Sequence, residues 1–305
     1  MTVNSSLASP KATLDKLAQW DITINKSLGQ HFLIDDGVVG RILRLATPEE
    51  DELILEVGPG IGTLTEALLQ QGFQVLALEK DHRLLPLLAD LQRRYPDTFQ
   101  FMHIDAKDYT APQQTEPGAG TQGAHRSPQS GLPFKMVANL PYAVAATIVL
   151  GYFQAIPAMA SATVMVQKEV AVRMAAESGS RDYGAYSVKL QLLAEPRGSF
   201  DVSRTCFLPA PRVDSTVIRF DRRVDQITQS EIPTTFMLIE AAFTQRRKTI
   251  RNSMRAFFEK QGMDPGILDD LLREAGISPT VRGECLTPKD FLLLGRLFER
   301  MQDSA

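Results

Sequence analysis

The sequence predicts an α/β domain with a parallel sheet, followed by a smaller domain made only of helices. An apolar run at residues 53–57 leads through Gly58, Gly60 and Gly62 into a helical pattern, the strand, tight turn and helix that open a nucleotide-binding α/β unit. Strand-like runs then alternate with helical patterns, which requires parallel strands joined by right-handed crossovers. Beyond about Arg223 only helical patterns remain.

Composition fits an ordinary globular protein and excludes several classes. The chain has 305 residues, of which 44% are hydrophobic and 23% charged. No apolar stretch is long enough to cross a bilayer and the first residues lack the apolar middle of a signal peptide, so we expect a cytoplasmic protein. Cys206 and Cys285 show no metal spacing, and we expect no metal. The net charge of -3 argues mildly against a nucleic-acid partner.

The N-terminal part is predicted in three pieces. Residues 1–24 are polar and without sustained periodicity, which predicts a mostly flexible tail with a helical turn near residues 14–20. Residues 30–33 are predicted to form a loop that extends towards the glycine turn. An amphipathic helix then follows a cap at Asp35 or Asp36.

The remaining elements follow from periodicity and from proline and glycine positions. Residues 111–131 are a low-complexity insertion that we expect to be mobile and exposed. Prolines fix an extended loop over residues 207–215, between two β-rich segments. Strands are predicted at 74–79, 99–104, 135–138, 162–167, 200–206 and 215–220, and helices at 82–95, 143–153, 169–177, 186–194, 232–243, 248–260, 267–275 and 288–301.

Functional residues are expected at the carboxyl ends of the parallel strands. Thr63 follows the glycines where a dinucleotide fingerprint needs Gly or Ala, which disfavours a pyrophosphate ligand. Glu79 ends the next strand, where a carboxylate accepts both ribose hydroxyls, although an acidic strand end is more often a solvated charge. Asp105 ends the third strand and either accepts from an adenine amino group or caps a turn. These strand ends describe a nucleoside pocket without phosphate chemistry, which S-adenosylmethionine fits.

The fourth strand end, Asn139-Leu140-Pro141-Tyr142, is the most specific signal. A target amine needs acceptors for its hydrogens, and the Asn139 side chain and the Leu140 backbone offer two carbonyl oxygens. Tyr142 offers a flat face on which a base can stack. The alternative is an ordinary turn after a strand, with Tyr142 filling the core.

These motifs together resemble one family. The segments GQHFL, EVGPGIGTLT, LEKD, NLPY, FLPAPRVDS and FTQRRKTIRNS, in this order, resemble the KsgA-type ribosomal RNA adenine dimethyltransferases from about Asn25 onward. The resemblance implies a Rossmann-like S-adenosylmethionine-dependent methyltransferase domain over 25–223 and a small helical RNA-binding domain over 224–305. It also implies dimethylation of N6 on two adjacent adenosines near the 3′ end of 16S rRNA in the small ribosomal subunit.

The resemblance also implies roles for single residues. His31 and Leu33 touch the methionyl half of the cofactor, Gly58 lines it, Glu79 holds the ribose and Asp105 the adenine. Asn139 lies between cofactor and target, and Tyr142 and Phe207 sandwich the flipped adenine. Gln30 and Gly60 are further expected cofactor-binding residues, and Leu140 is expected to be catalytic through its backbone carbonyl. The family commonly has an apolar residue under the adenine where this chain has Lys80, so the aliphatic stem of Lys80 is expected there.

The charge pattern adds a candidate RNA surface. It consists of Arg212, Arg246, Arg247, Lys248 and Arg251, with Arg255 in the same cluster.

Alternatives remain at this point. The basic cluster is either an RNA surface or a solvated helix face. An Erm-like enzyme acting on 23S rRNA is the nearest other enzyme. A ribosome-assembly or nucleic-acid-binding factor that kept the fold without the chemistry is the alternative outside enzymes. We expect a monomer that acts on the small ribosomal subunit, has a role in its biogenesis, and uses neither a membrane nor a metal.

Overall fold

The computed structural model describes residues 5–25, 29–49, 52–110, 134–224, 226–260, 262 and 266–303, and the predicted insertion at 111–131 lies outside them. The chain divides into two compact units, Met1–Ala171 with Pro196–Arg222, and Val172–Glu195 with Arg223–Ala305. Residues 172–195, which the sequence analysis placed in the first domain, therefore group with the C-terminal helices. Among the described residues, no helix combines the length and apolar character that a membrane crossing needs.

Helices and strands alternate through the first part of the chain. In order they are α1 (Pro10–Gln19), β1 (Phe32–Leu33), α2 (Asp36–Ala46), β2 (Leu53–Val57), α3 (Thr63–Gln70), β3 (Gln74–Glu79), α4 (Leu85–Arg94), β4 (Phe99–His103), β5 (Phe134–Asn139), α5 (Ala145–Ala155) and β6 (Met159–Gln167). The remaining elements are α6 (Lys168–Met174), α7 (Ala185–Leu193), β7 (Ala194–Val202), β8 (Phe207–Leu208), β9 (Ser215–Arg222), α8 (Glu231–Phe243), α9 (Ile250–Lys260), α10 (Gly266–Glu274) and α11 (Pro288–Asp303).

The main sheet is mixed, in the order β4-β3-β2-β5-β6-β9-β7. Its first five strands are parallel, as predicted. β9 departs from the prediction of a parallel sheet because it runs antiparallel to β6, with Ser215 opposite Gln167. Since Gln167 is the last residue of β6, the chain enters β9 at the carboxyl edge of the parallel strands. A strand that begins at this edge must run back, which makes β9 antiparallel.

The strand order changes direction beside β2. From β2 the chain moves outward to β3 and β4, and β5 then returns to the other side of β2. In open α/β sheets the crevice at such a switch point, beyond the carboxyl ends of the strands, is where ligands bind. The segments after Val57 and Asn139, which end β2 and β5, border this crevice.

Local sequence explains how the elements around β2 begin. The Asp35 carboxylate accepts from the Val38 backbone N–H at 2.9 Å and so caps α2. Gly58 and Gly60 have φ of 69° and 60° in the turn between β2 and α3, a conformation that side-chain-bearing residues rarely adopt. The Gly58 N–H donates to the Leu78 carbonyl at 2.9 Å, which holds the start of the turn against β3.

The prediction of a mostly flexible tail over residues 1–24 is wrong for residues 5–24, the part that the structure describes. α1 begins after Ser9, whose hydroxyl caps it, and Leu17 is only 5% exposed. Ahead of the helix, the Ser5 hydroxyl donates to the Thr63 carbonyl at 2.8 Å. The Ser6 hydroxyl donates to the Glu66 carboxylate at 2.8 Å. These contacts hold residues 5 and 6 against α3. Their partners are about 60 residues away in sequence, so hydrophobic periodicity does not predict them.

The second unit is built around α8 and α11. A Cβ added at Gly295 of α11 would lie 2.3 Å from the Thr235 hydroxyl of α8, so the glycine permits close contact of the two helices. Inside the same unit the Tyr183 hydroxyl donates to the Leu286 carbonyl at 2.9 Å. Phe258 of α9 lies against Phe298 of α11, with ring centroids 5.7 Å apart.

Candidate functional site

A cavity of about 450 Å³ lies beyond the carboxyl ends of β2, β3, β4 and β5. Its wall includes every predicted cofactor residue, together with two of the predicted catalytic residues that follow β5. These residues are Gln30, His31, Leu33, Gly58, Gly60, Glu79, Lys80, Asp105, Asn139, Leu140 and Tyr142. The structure therefore brings together residues that are far apart in the sequence.

The glycine turn between β2 and α3 lines this cavity. A Cβ at Gly58 would lie 3.7 Å from the Pro141 ring, and one at Gly60 would lie 3.1 Å from the Phe32 ring. The turn is thus packed against both neighbouring segments of the site. Thr63, at the start of α3, lines the cavity, and its buried hydroxyl has no hydrogen-bond partner among the described residues.

Glu79 is a buried carboxylate, 6% exposed, at the end of β3. It accepts from the Asp81 backbone N–H at 2.7 Å and from the Gly60 backbone N–H at a longer 3.4 Å. Burial raises the pKa of Glu79 because it disfavours the charged form, while both backbone hydrogen bonds oppose the rise. The Gln30 amide donates to the Asp81 carboxylate at 2.8 Å, which joins the loop before β1 to the same end of β3.

Lys80 and Asp105 meet across the ends of β3 and β4. The Lys80 ammonium lies 2.7 Å from the Asp105 carboxylate. This hydrogen bond holds the pKa of the Asp105 carboxyl below its usual range. Asp105 also accepts from the Lys107 backbone N–H at 3.0 Å, so it caps a short turn, as its alternative interpretation proposed. One Asp105 side chain therefore combines a capping contact with an ion pair on the cavity wall.

Asn139 is held by its amide nitrogen. Its Nδ2 donates to the His31 backbone carbonyl at 3.1 Å. Within the described residues nothing donates to the Asn139 Oδ1 or to the Leu140 carbonyl. The Leu140 N–H donates to the Met165 carbonyl at 3.1 Å, which ties the strand end to β6. Both carbonyl oxygens are therefore left as acceptors beside the cavity.

Tyr142 stacks on His31 and not on Phe207. The His31 and Tyr142 rings lie 5.6 Å apart between centroids at an interplanar angle of 26°. The Tyr142 hydroxyl is hydrogen-bonded to the Ser215 hydroxyl at 2.7 Å, and burial raises the pKa of this phenol. The His31 Nδ1 is hydrogen-bonded to the Pro209 carbonyl at 2.8 Å. The His31 ring is thus anchored to the extended loop that precedes β9, and the Tyr142 ring to the first residue of β9.

Phe207 does not line the cavity. It is 3% exposed and lies in β8, opposite Leu33 in a two-stranded antiparallel pair with β1. Phe207 belongs to the hydrophobic core cluster, together with Phe32 and Leu33 of β1. In this structure Tyr142 and Phe207 therefore do not lie on either side of a space for the target base, which is the arrangement that was predicted.

The predicted RNA residues differ in how they are engaged. Arg246 donates to the Arg181 and Tyr183 carbonyls at 3.0 and 2.7 Å, so it supports the second unit's own loops. Arg251 forms a two-point pair with Asp269 at 2.6 Å for each contact. The exposed side chains of three others, Arg212, Arg247 and Lys248, have no hydrogen-bond or ion-pair partner among the residues that the structure describes.

Glu56 is a charged cavity residue that was not among the predicted site residues. Glu56 lies in β2, is 2% exposed and lines the cavity. It accepts from the Thr65 hydroxyl at 2.6 Å. A charged residue inside an apolar strand run is the signal that could have identified it. In the described part of the chain, no group of three or more His, Cys, Asp or Glu side chains could hold a metal ion.

Comparison with known proteins identifies relatives over nearly the whole chain. The ribosomal RNA adenine dimethylase family matches residues 22–275. A protein of Oceanobacillus iheyensis named ribosomal RNA small subunit methyltransferase A is 36% identical over 305 residues, which cover 99% of both chains. A protein of the same name from Shouchella clausii is 37% identical, with 96% of both chains covered.

Solved structures agree on the fold. A dimethyladenosine transferase from Plasmodium falciparum has a TM-score of 0.70 at 20% identity, covering 89% of this chain and 98% of its own. The 23S rRNA methyltransferase ErmE has a TM-score of 0.62 at 23% identity, covering 88% and 99%. The predicted fold class, a Rossmann-like domain with C-terminal helices, is confirmed, and so is the family resemblance. The chain belongs to the ribosomal RNA adenine dimethylase family.

Proposed function

We propose that this protein dimethylates N6 of two adjacent adenosines near the 3′ end of 16S rRNA, using S-adenosylmethionine. Family membership supports the adenine dimethylase chemistry, and the two relatives named above carry the small-subunit name. The observation that carries the proposal is the acceptor pair at the end of β5. Asn139 donates its amide to the His31 carbonyl, so its Oδ1 and the Leu140 carbonyl are available to the hydrogens of an amine.

The cavity fits S-adenosylmethionine by the chemistry of its wall. Its buried carboxylates suit a ligand with hydroxyl, amino and cationic groups. We assign Glu79 to the ribose and Asp105 with the Lys80 stem to the adenine. The remaining cofactor contacts are assigned to Gln30, His31, Leu33, Gly58 and Gly60. When bound, this cofactor supplies an electrophilic methyl group on a sulfonium.

The chain's own residues orient the amine. The N6 lone pair of adenine is delocalised into the ring, which makes the amine a poor nucleophile. Hydrogen bonds to Asn139 Oδ1 and the Leu140 carbonyl favour a pyramidal nitrogen whose lone pair faces the methyl group. Transfer from a sulfonium to a neutral amine needs no strong base at the outset. Holding the reacting atoms in line supplies on the order of 7–11 kcal/mol of the barrier.

The target base must leave its stack to reach these acceptors. Extrusion costs a few kcal/mol, and stacking on an aromatic face returns about 1–3 kcal/mol per base. Tyr142 is the stacking residue in our proposal. Phe207 is buried and lies opposite Leu33, outside the cavity wall, so its contact with a base requires a change of conformation at this position.

RNA contacts outside the cavity are assigned to the basic residues. Of the predicted RNA residues, Arg212, Arg247 and Lys248 are exposed and have no partner among the described residues, so we assign them to phosphate, while Arg246 and Arg251 act through contacts within the second unit. We propose a monomer that recognises the small ribosomal subunit in the cytoplasm, contributes to its biogenesis and uses no metal. The helices of residues 224–305 form its RNA-binding domain.

Methylation of undermethylated small subunits is the direct test. The protein is incubated with labelled S-adenosylmethionine and such subunits, and the modified nucleosides are mapped. Dimethyladenosine at two adjacent positions near the 3′ end of 16S rRNA supports the proposal. Label in 23S rRNA instead identifies the Erm-like alternative. Tight binding to the subunit without any label identifies the assembly factor that lacks the chemistry.

A further inference from the structure

Two buried carboxylates share one face of the sheet beside the glycine turn. The parallel register places Glu56 opposite Ala77, and Glu79 lies two residues further along β3. Because side chains alternate along a strand, Glu56 and Glu79 point to the same face. Both line the cavity, at 2% and 6% exposed. Two buried acidic side chains on one cavity wall favour a ligand that brings positive charge.

Glu56 has no cationic partner among the described residues. Its hydrogen bond comes from the Thr65 hydroxyl on α3, at 2.6 Å. The charged group that acts on it is Glu79 on β3, which repels a second negative charge. On the other side of β2 the nearest residues of β5, Met136 and Val137, are buried and apolar. The hydroxyl alone does not compensate a buried charge.

The protonated form of Glu56 is therefore favoured in the unliganded protein. Burial raises the pKa of Glu56 to about 8, and the charge of Glu79 adds to the rise, while the Thr65 hydroxyl opposes it. A neutral carboxyl still fits the site, since a protonated oxygen can donate and the other can accept from Thr65. A cation brought into the cavity reverses this preference, because it stabilises the ionised form.

We propose that Glu56 is a proton-linked counter-charge for the sulfonium: it is neutral in the unliganded cavity and releases its proton to solvent when the cationic cofactor binds. Methyl transfer turns the sulfonium into a neutral thioether. The ionised carboxylate then loses its partner and takes a proton back from solvent. Cofactor and product share their nucleoside and amino-acid groups and differ in the charge on sulfur. The protonation state of Glu56 therefore differs between the two complexes.

Calorimetry in buffers of different ionisation enthalpy tests this inference, which rests on the proposed cofactor and requires no RNA. For the wild-type protein at pH 7 we expect close to one proton released per S-adenosylmethionine and markedly less for S-adenosylhomocysteine. The difference disappears above about pH 9, where Glu56 is already ionised. S-adenosylhomocysteine is the matched ligand because it carries the same amino and carboxylate groups.

Glu56→Gln removes the titrating group and keeps an acceptor for Thr65. We expect it to abolish the difference in proton release and to weaken S-adenosylmethionine roughly tenfold relative to S-adenosylhomocysteine. Glu66→Gln is the control, because Glu66 is a buried carboxylate outside the cavity wall that is paired with Arg94. It should keep the wild-type proton release.

Thr65→Val keeps the inference testable if the glutamine variant does not fold. Loss of the hydroxyl disfavours the ionised form, so the pH range of proton release should move upward. Equal proton release with both ligands, or the same release from the Glu56→Gln variant, would overturn the inference. Failure of either ligand to bind would overturn the proposed cofactor instead, so the two failures are distinguishable.

Discussion

Asn139 links the target amine to the segment before β1. Asn139→Ala removes the Oδ1 acceptor and also the donor to the His31 carbonyl. We expect methylation to fall by about 10²–10³-fold or more, while binding of the small subunit is retained. Methyl transfer and subunit binding are measured separately.

Asn139→Asp is the informative companion variant. It keeps acceptor oxygens and loses only the N–H that donates to His31, so activity between those of the wild type and the alanine variant is expected. Wild-type turnover in the alanine variant would remove Asn139 from the mechanism.

Glu56 makes the stability of the unliganded protein depend on pH. Its pKa is about 8 when folded and near 4.5 when unfolded, so the folded state binds more protons between these values. The stabilisation from the bound proton is complete below pH 4.5 and is lost as pH rises through about 8. Urea unfolding at several pH values should therefore show Glu56→Gln gaining stability over the wild type as pH rises from 5 to 8. A pH-independent difference contradicts the buried protonated carboxyl.

Single residues at strand ends were the most predictable part of the site. Glu79 and Asn139 reach the cavity because the topology alone fixes where parallel strands end. Phe207 and Arg246 were less predictable, because their neighbours come from distant segments. Phe207 is buried through pairing with β1, and Arg246 donates to carbonyls some 60 residues away in sequence. No local pattern encodes such partners.

At the scale of elements, the glycine turn gives a matched pair of substitutions. Gly60 and Gly72 both have positive φ, at 60° and 86°. A Cβ at Gly60 would lie 3.1 Å from Phe32, whereas a Cβ at Gly72 meets nothing within 4 Å. Both alanine variants should lose about 1–2 kcal/mol from backbone strain. Only Gly60→Ala should also weaken cofactor binding, measured by calorimetry, and equal affinities in the two variants would contradict a role for the turn.

The first helix gives a second matched pair. Leu17 is 5% exposed in α1, and Leu14 in the same helix is 52% exposed. Leu17→Ala should reduce the free energy of unfolding by about 2–5 kcal/mol, because it leaves a cavity against the core. Leu14→Ala should change it by less than about 0.5 kcal/mol. Chemical denaturation of both variants compares them, and a small effect at both positions would mean that α1 adds little to stability.

The elements with long periodic patterns were predicted well. β3 has the predicted bounds, and α8 and α11 differ from theirs by one or two residues. α1 was predicted only as a turn because a ten-residue helix gains its stability from tertiary contacts. The orientation of β9 was equally hidden, since it depends on the edge of the sheet at which the chain arrives.

For the whole molecule, the net charge of -3 does not exclude a local basic surface, and Arg247 and Lys248 are exposed. Arg247→Ala and Lys248→Ala should each reduce the slope of log affinity for RNA against log salt by about one. Arg273→Ala is the control, because Arg273 is paired with Asp270. Binding isotherms at several salt concentrations give the slopes. Unchanged slopes in the first two variants would exclude their contact with phosphate.

The pair of short strands β1 and β8 has a consequence for the order in which the site is made. It joins segments so distant that the His31 ring and the Pro209 carbonyl are 178 residues apart in sequence. A ribosome-bound chain that has emerged only as far as β6 already contains the glycine turn, Glu79 and Asn139. It lacks Pro209 and Ser215, which hold the His31 and Tyr142 rings. The strand ends assigned to the ribose and to the target amine are therefore synthesised before the segment that positions the two rings.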